Sequence, residues 1–208
     1  MNAVKHAEIS VYRCGGQIDD YYPIHSFIDC TKELCSDNRH RILHTMWGIK
    51  RVIIPIFGHT IINSDGKSIN VKDLCERDHI LADYRNRFIP TLTDFVNSID
   101  EDALPKDFTK KIQSLHQQYA HQKEVAELLL SPLAQTGRMS SLLITHNSWF
   151  LNNILPKIFP VTIQLQNFEL SPTSFFEAMN FQIWMDNGAS FPPSAQRNQD
   201  FFEEKIIL

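Results

Sequence analysis

The chain has 208 residues, 43% of them apolar and 21% charged, with a net charge of −4 and a pI near 6.1. That length and apolar content can fill one large or two small hydrophobic cores, which excludes a disordered chain. The acidic balance argues against general binding to nucleic acid or anionic membrane, since both need a basic face.

Taken in chain order, residues 2–13 predict a helix stopped by Gly15-Gly16. Pro23 reads as a first-turn residue of a second helix whose apolar stripe is Ile24, Phe27, Ile28 and Leu34. Ser36 or Asp37 can cap a third, running through Ile42, Leu43, Met46 and Trp47 until Pro55 and Gly58 disturb it. Two β-branched runs around Asp65-Gly66 predict a hairpin near 60–71. A fourth helix covers roughly 71–84, and Thr91 with Asp94 forms a short capping box. An acidic, proline-broken stretch at 98–105 reads as a linker, dividing a domain at 1–98 from a mostly helical part at 105–208.

Beyond that stretch, residues 106–130 predict one long amphipathic helix, and 139–155 another before Pro156. Val161–Leu165 reads as a strand, and Ser171-Pro172 opens a helix through Trp184, ended by Asn187-Gly188. His116 and His121, five apart, do not align on a helix and read as surface residues. There are no internal repeats and no low-complexity tracts. The expected fold class is therefore mainly α with a small β-hairpin, an α+β chain with a helical N-terminal domain and a mostly helical C-terminal part.

All four cysteines (Cys14, Cys30, Cys35 and Cys75) lie in the first part, and no Cys-x-x-Cys occurs. In a chain able to build its own core they read as free thiols of a reducing compartment. The N-terminus carries no apolar signal core, and no run approaches the ~20 apolar residues that span a bilayer. The expectation is a cytoplasmic protein with no membrane role.

Candidate chemistry concentrates between His25 and His44. His25/Asp29 and His40/His44 have the i, i+4 spacing that places both members on one helix face. Imidazole and carboxylate are first-rank ligands for zinc, manganese or iron. Two such pairs on antiparallel neighbouring helices can build one site, with His6, Asp37, Asp78 and His79 as further candidates. Arg39 and Arg41 flank His40, and a planar guanidinium suits phosphate or carboxylate. The plainer alternative is that histidines at a core boundary only bond carboxylates or carbonyls, and that Asp37 is a cap. No Gly-x-Ser-x-Gly, glycine-rich phosphate loop or Walker pattern occurs, and Cys30 lies five residues past His25, so a nucleophile is not set up on one helix.

Several polar positions repeat a known arrangement. They are His6 before Gly15-Gly16, Asp20-Tyr21, Ile24-His25, Phe27, Asp29, Lys32, and Asp37-x-Arg39-His40-Arg41-x-x-His44 with Gly48-Ile49. Later come Phe57-Gly58, Asn63-Ser64-Asp65-Gly66-Lys67, and His79 with Asp83 before Ile89-Pro90-Thr91. In these, the first ~95 residues resemble an uncharacterised family of small bacterial and phage-encoded proteins, known only as a domain of unknown function. The resemblance implies that the His/Asp/Arg set is a working site, and it supplies no activity. The chain departs from that family's pattern at Val52-Ile53-Ile54-Pro55, where an acid is usual. It departs again at Arg77, Asp78 and Ala82 around His79, and by two extra residues before Ile89. The ending DFFEEKIIL resembles in composition the C-terminal signals of type IV secreted bacterial effectors.

The leading expectation is a divalent-metal site (zinc, manganese or iron) drawn from His25, Asp29, His40, His44 and His79. Arg41 and Asp37 would serve catalysis, with phosphoester hydrolysis as the reaction class. The alternative is a non-catalytic bacterial interaction protein, one form of which is a secreted effector. There the polar set would be a buried hydrogen-bond network and the C-terminal half would bind a protein partner, with Trp149, Phe150, Phe175, Phe176, Phe181 and Trp184 packing its core and also supplying contact surface.

Overall fold

The first helix, α1 (Ala3–Cys14), starts where the Asn2 side chain accepts the Lys5 N–H at 2.9 Å, and stops at Gly15, whose φ of 81° breaks the ladder. A computed structural model describes residues 1–159, 168–181, 183–185 and 191–195. The second helix, α2 (Ile18–Ile28), opens on a capping box in which Asp20 accepts the Gln17 N–H at 2.7 Å. Pro23 therefore falls inside the helix, with its ring exposed, and not in the first turn. The earlier cap fixed the start because it satisfies N–H groups that a proline only avoids leaving orphaned.

Strands β1 (Thr60–Ile62) and β2 (Ser68–Asn70) pair antiparallel with Ile61 opposite Ile69, so the predicted hairpin forms. Its turn clasps the α1–α2 corner. Asp20 accepts from Ser64 N–H at 3.0 Å and Ser64 Oγ at 2.7 Å, and Asp65 accepts the Gly16 N–H at 2.9 Å. Behind it a core of Tyr21, Ile24, Ile28, Ile49, Ile53, Leu74, Ile80 and Tyr84 is closed to solvent. The protein is thus mainly α with a small β-hairpin.

The third predicted helix is broken in two. A 3-10 turn, Asn38–Leu43, is capped by Asp37, and a kink at His44 leads to a new start at Thr45, whose Oγ1 accepts the Gly48 N–H at 3.1 Å. The helix then runs on through Pro55 to Gly58. A proline collides with the carbonyl four residues back, and widening the preceding Ile49–Ile53 turn to π geometry gives that carbonyl room. The fourth helix, 71–83, also carries a π segment, Cys75–Leu81, which holds His79. Thr91 and Asp94 form the predicted capping box ahead of Leu92–Val96.

Among the described residues, 1–94 with those from 181 onward make one compact unit, and those within 95–180 make another. In the second, the expected long helix is two, Phe108–Gln118 and Lys123–Thr136, parted at 119–122. The 139–155 helix resolves into a 3-10 turn, Met139–Ile144, and a helix at 148–158 with π turn Phe150–Ile154 before Pro156. A helix opens near Ser171-Pro172 but spans only Thr173–Ala178, with a separate 3-10 turn at Ile183–Met185. The strand expected at 161–165 and the Asn187-Gly188 stop lie outside the described residues.

Although the sequence shows no repeat, residues 38–58 and 139–159 fold into one succession. Each has a six-residue 3-10 turn, a five-residue π turn and a four-residue α turn. Pro55 and Pro156 each stand second in the final turn. Thr45 caps the first helix, and Asn147 caps the second by accepting the Phe150 N–H at 2.9 Å.

All four cysteines are free thiols. Among the described residues, no helix is long and apolar enough to cross a membrane.

Candidate metal centre

One ligand atom each from Asp29, His44, His79 and Asp83 can be chosen so that all lie within 4.8 Å of one another, and all four residues are buried. Asp29 stands at the C-terminal end of α2, and His44 at the kink before Thr45. His79 and Asp83 lie one turn apart on the 71–83 helix. His44 Nε2 is 3.4 Å from Asp29 Oδ1, 3.3 Å from Asp83 Oδ2 and 3.1 Å from His79 Nε2. His79 Nε2 is 3.6 Å from Asp29 Oδ1.

Gly48 makes the His44 kink possible. A Cβ there would lie 2.2 Å from the Leu43 carbonyl oxygen, a backbone atom that cannot swing aside. Only a glycine lets the new helix start close enough to the 3-10 turn to turn His44 inward.

The tautomer of His79 follows from its neighbours. Ser10 Oγ is 2.9 Å from Asp78 Oδ2 and 3.2 Å from the His6 carbonyl, and to either it must donate its one proton. It therefore accepts from His25 Nε2–H at 2.8 Å, which leaves His25 Nδ1 to accept from His79 Nδ1–H at 3.0 Å. His79 Nε2 is left as a lone pair facing Asp29. The far end of the chain is fixed by Arg13, whose Nε donates to Asp78 Oδ1 at 2.6 Å. An outer partner that fixes ring orientation in this way is the usual companion of a metal-ligating histidine.

Buried atoms in the centre lack hydrogen-bond partners among the described residues: Asp29 Oδ1, Asp83 Oδ2, His6 Nε2, His40 Nε2 and His44 Nδ1. Desolvated acceptors left unpaired cost about 1–3 kcal/mol each, more for charged groups. A cation held by Asp29, His44, His79 and Asp83 removes that cost at Asp29 Oδ1 and Asp83 Oδ2. Lys32 Nζ, 2.7 Å from Asp29 Oδ2, and the Met1 amine, 2.6 Å from Asp83 Oδ1, engage only the outer oxygens.

Burial pushes Asp29 upward, but the contact with His44 outweighs it and holds the carboxyl well below the usual range. Burial likewise pushes Asp83 upward, but His44, His6 and Arg41 outweigh it, so this carboxyl too is held low. Desolvation drives His79 well below its ordinary value, His25 down to about 3 and His40 down to about 4. Ionised carboxylates beside neutral imidazoles are the protonation states that a metal ion requires.

Of the residues expected from sequence, Asp29, His44 and His79 meet in the ligand group. His25 stands behind His79 as its orienting partner. His40 bonds the Asp37 carbonyl through Nδ1–H at 2.5 Å, leaving Nε2 as a lone pair 3.8 Å from Asp29 Oδ1. Arg41 lies over the Tyr84 ring at 5.0 Å, with Nη2 3.7 Å from Asp83 Oδ2. Its Nε and Nη1 are buried without a hydrogen-bond partner among the described residues. The Asp37 carboxylate caps the 3-10 turn and pairs with Arg39 Nη2 at 2.7 Å. The ligand that sequence reasoning did not single out is Asp83, although His79/Asp83 has the same i, i+4 spacing as His25/Asp29.

A buried Asp/His/His/Asp group that can hold a metal ion is therefore present in the first unit. Neither a curated protein nor a solved structure matches the chain. The family model of a domain of unknown function (DUF6915) matches residues 1–104, half of the chain, and carries every residue of this centre. The protein belongs to that DUF6915 family.

Proposed function

We propose that the first unit is a metal-dependent phosphoester hydrolase, with zinc, manganese or iron(II) held by Asp29, His44, His79 and Asp83. The observation that carries the reading is the pairing of that buried, unsatisfied donor set with Arg41, whose free N–H groups stand at its edge. Two imidazoles with two carboxylates suit borderline and hard divalent ions. Such an ion supplies Lewis acidity, polarising a water and the phosphoryl oxygens.

The chain's own residues supply the rest. Arg41 Nε–H and Nη1–H, which point in different directions, can each donate to an anionic oxygen of the phosphoryl group. His40 Nε2, an unprotonated nitrogen beside Asp29, accepts the proton that the attacking water loses. The Tyr84 ring beneath it helps to hold the guanidinium in place.

The test is elemental analysis of the purified protein by mass spectrometry, in wild type and His44→Ala/His79→Ala, followed by turnover of p-nitrophenyl phosphate and its bis-ester. Near-stoichiometric metal that disappears in the double variant supports the site. Arg41→Ala should keep the metal and lose about 10²- to 10³-fold in turnover, the scale of one preorganised charge-stabilising donor. No metal and no uptake on adding it back would sink the site, and full turnover in Arg41→Ala would sink the substrate assignment.

A further inference from the structure

Each unit places one histidine directly before the cap of its π-containing helix, His44 before Thr45 and His146 before Asn147. Each also carries a histidine on its first helix, His6 on α1 and His116 on Phe108–Gln118. In the second unit these two meet, with Nε2 of His116 2.9 Å from Nε2 of His146. His116, expected on the surface, is half-buried, and His146 is fully buried.

The tautomer of His146 is fixed twice over. Its Nδ1 is 3.1 Å from the Leu142 carbonyl, which can only accept. It is also 3.0 Å from Thr145 Oγ1, whose own proton goes to the Leu129 carbonyl at 2.7 Å. Nδ1 therefore carries the hydrogen, and Nε2 presents a lone pair to His116. This is the orientation that a backbone carbonyl imposes on metal-ligating histidines. Just past the end of that helix, the Tyr119 hydroxyl is buried without a hydrogen-bond partner among the described residues.

We propose that His116 and His146 form a second transition-metal site, for zinc(II) or copper(II), in the second unit. Imidazole is a preferred ligand of both ions, and two nitrogens on a tetrahedral ion at ~2.0–2.1 Å stand roughly 3.3 Å apart, close to the separation present here. Burial holds His146 down to about 3, so it stays neutral and able to ligate across the physiological range. The half-exposed His116 is the solvent-side ligand, and water completes the coordination. The site stands independently of the reading of the first centre.

The experiment is calorimetric titration of the metal-stripped full chain with zinc, in wild type, His116→Ala and His44→Ala/His79→Ala, with circular dichroism to confirm folding. His116→Ala, at a half-exposed position, is expected to fold and to bind one equivalent fewer than wild type. Copper(II) added to the His44→Ala/His79→Ala protein should show nitrogen hyperfine structure from two imidazoles by electron paramagnetic resonance. If the first centre holds no metal, wild type binds a single equivalent that His116→Ala loses, so the two sites fail separately. An isotherm unchanged by His116→Ala would overturn the proposal.

Discussion

Residues 38–58 and 139–159 follow the same path with different residues at its critical points. Both pass from a 3-10 turn through a capped start into a π turn and a proline-bearing last turn. Where the first has Gly48 donating its N–H to the cap, the second has the buried Phe150. Where the first has His40 and Arg41 buried on its 3-10 turn, the second buries Ser140, Ser141 and Leu142. The π turn and its proline go with the path, and so belong to the scaffold. The buried arginine belongs to the first segment alone, and with it the cost of burying unpaired donors and acceptors. Polar groups buried at that cost are where function is expected, because a core needs none of them.

The sharpest way to break the comparison is at the residue whose N–H meets the cap. Phe150→Ala should cost about 3–5 kcal/mol, the scale of an emptied aromatic site. Gly48→Ala should cost about 3 kcal/mol through collision with the Leu43 backbone, and should displace His44 so that metal affinity falls with stability. Urea denaturation of both variants, with metal titration, checks this. A Gly48→Ala protein as stable and as metal-competent as wild type would refute the role given to the kink.

Acid should distinguish the units next. His25 at about 3, His40 at about 4 and His79 well below its ordinary value are all depressed in the folded first unit. A histidine depressed on folding binds fewer protons folded than unfolded between the two values. Its contribution is therefore complete above about 6.5 and is lost as pH falls toward the folded value. The depressed Asp29 and Asp83 act in the same direction at lower pH, their contribution present above about 4 and lost below. The second unit has two depressed histidines, His116 and His146, and no such buried carboxylate pair among the described residues. Metal-free protein taken from pH 7 to pH 4 should lose on the order of a few kcal/mol, with amides of residues 3–83 exchanging hydrogen sooner than those of 108–158. Uniform loss of protection across both units would contradict the assignment.

A smaller effect tests the proton chain behind His79. His25→Ala removes its Nδ1 partner while sparing all four ligands, and should weaken metal affinity about 10- to 100-fold. His25→Gln, able to accept at the same place, should recover part of that loss. Equal affinity in all three proteins would show that Ser10, His25 and Asp78 only hold the helices together.

The sequence by itself determined a good deal. The α1 boundaries, the Asp65-Gly66 hairpin and the Thr91/Asp94 box are legible because caps and tight turns are chemistry between residues two to four apart. The concentration of ligands between His25 and His44 was legible for the same reason, since i, i+4 spacing is a local signal. Local signals failed where a break is decided by neighbours. The kink at His44 needs Gly48 against Leu43, and the parting of 106–130 at 119–122 has no glycine or proline to mark it. Only the tertiary structure separated Asp29 from its sequence partner His25, sending one to the ligand group and the other behind His79. Only it brought Asp83 and His79 to Asp29 and His44 across the core, and faced His116 with His146. Such meetings depend on which helix faces pack together, and spacing along one chain fixes only which residues share a face.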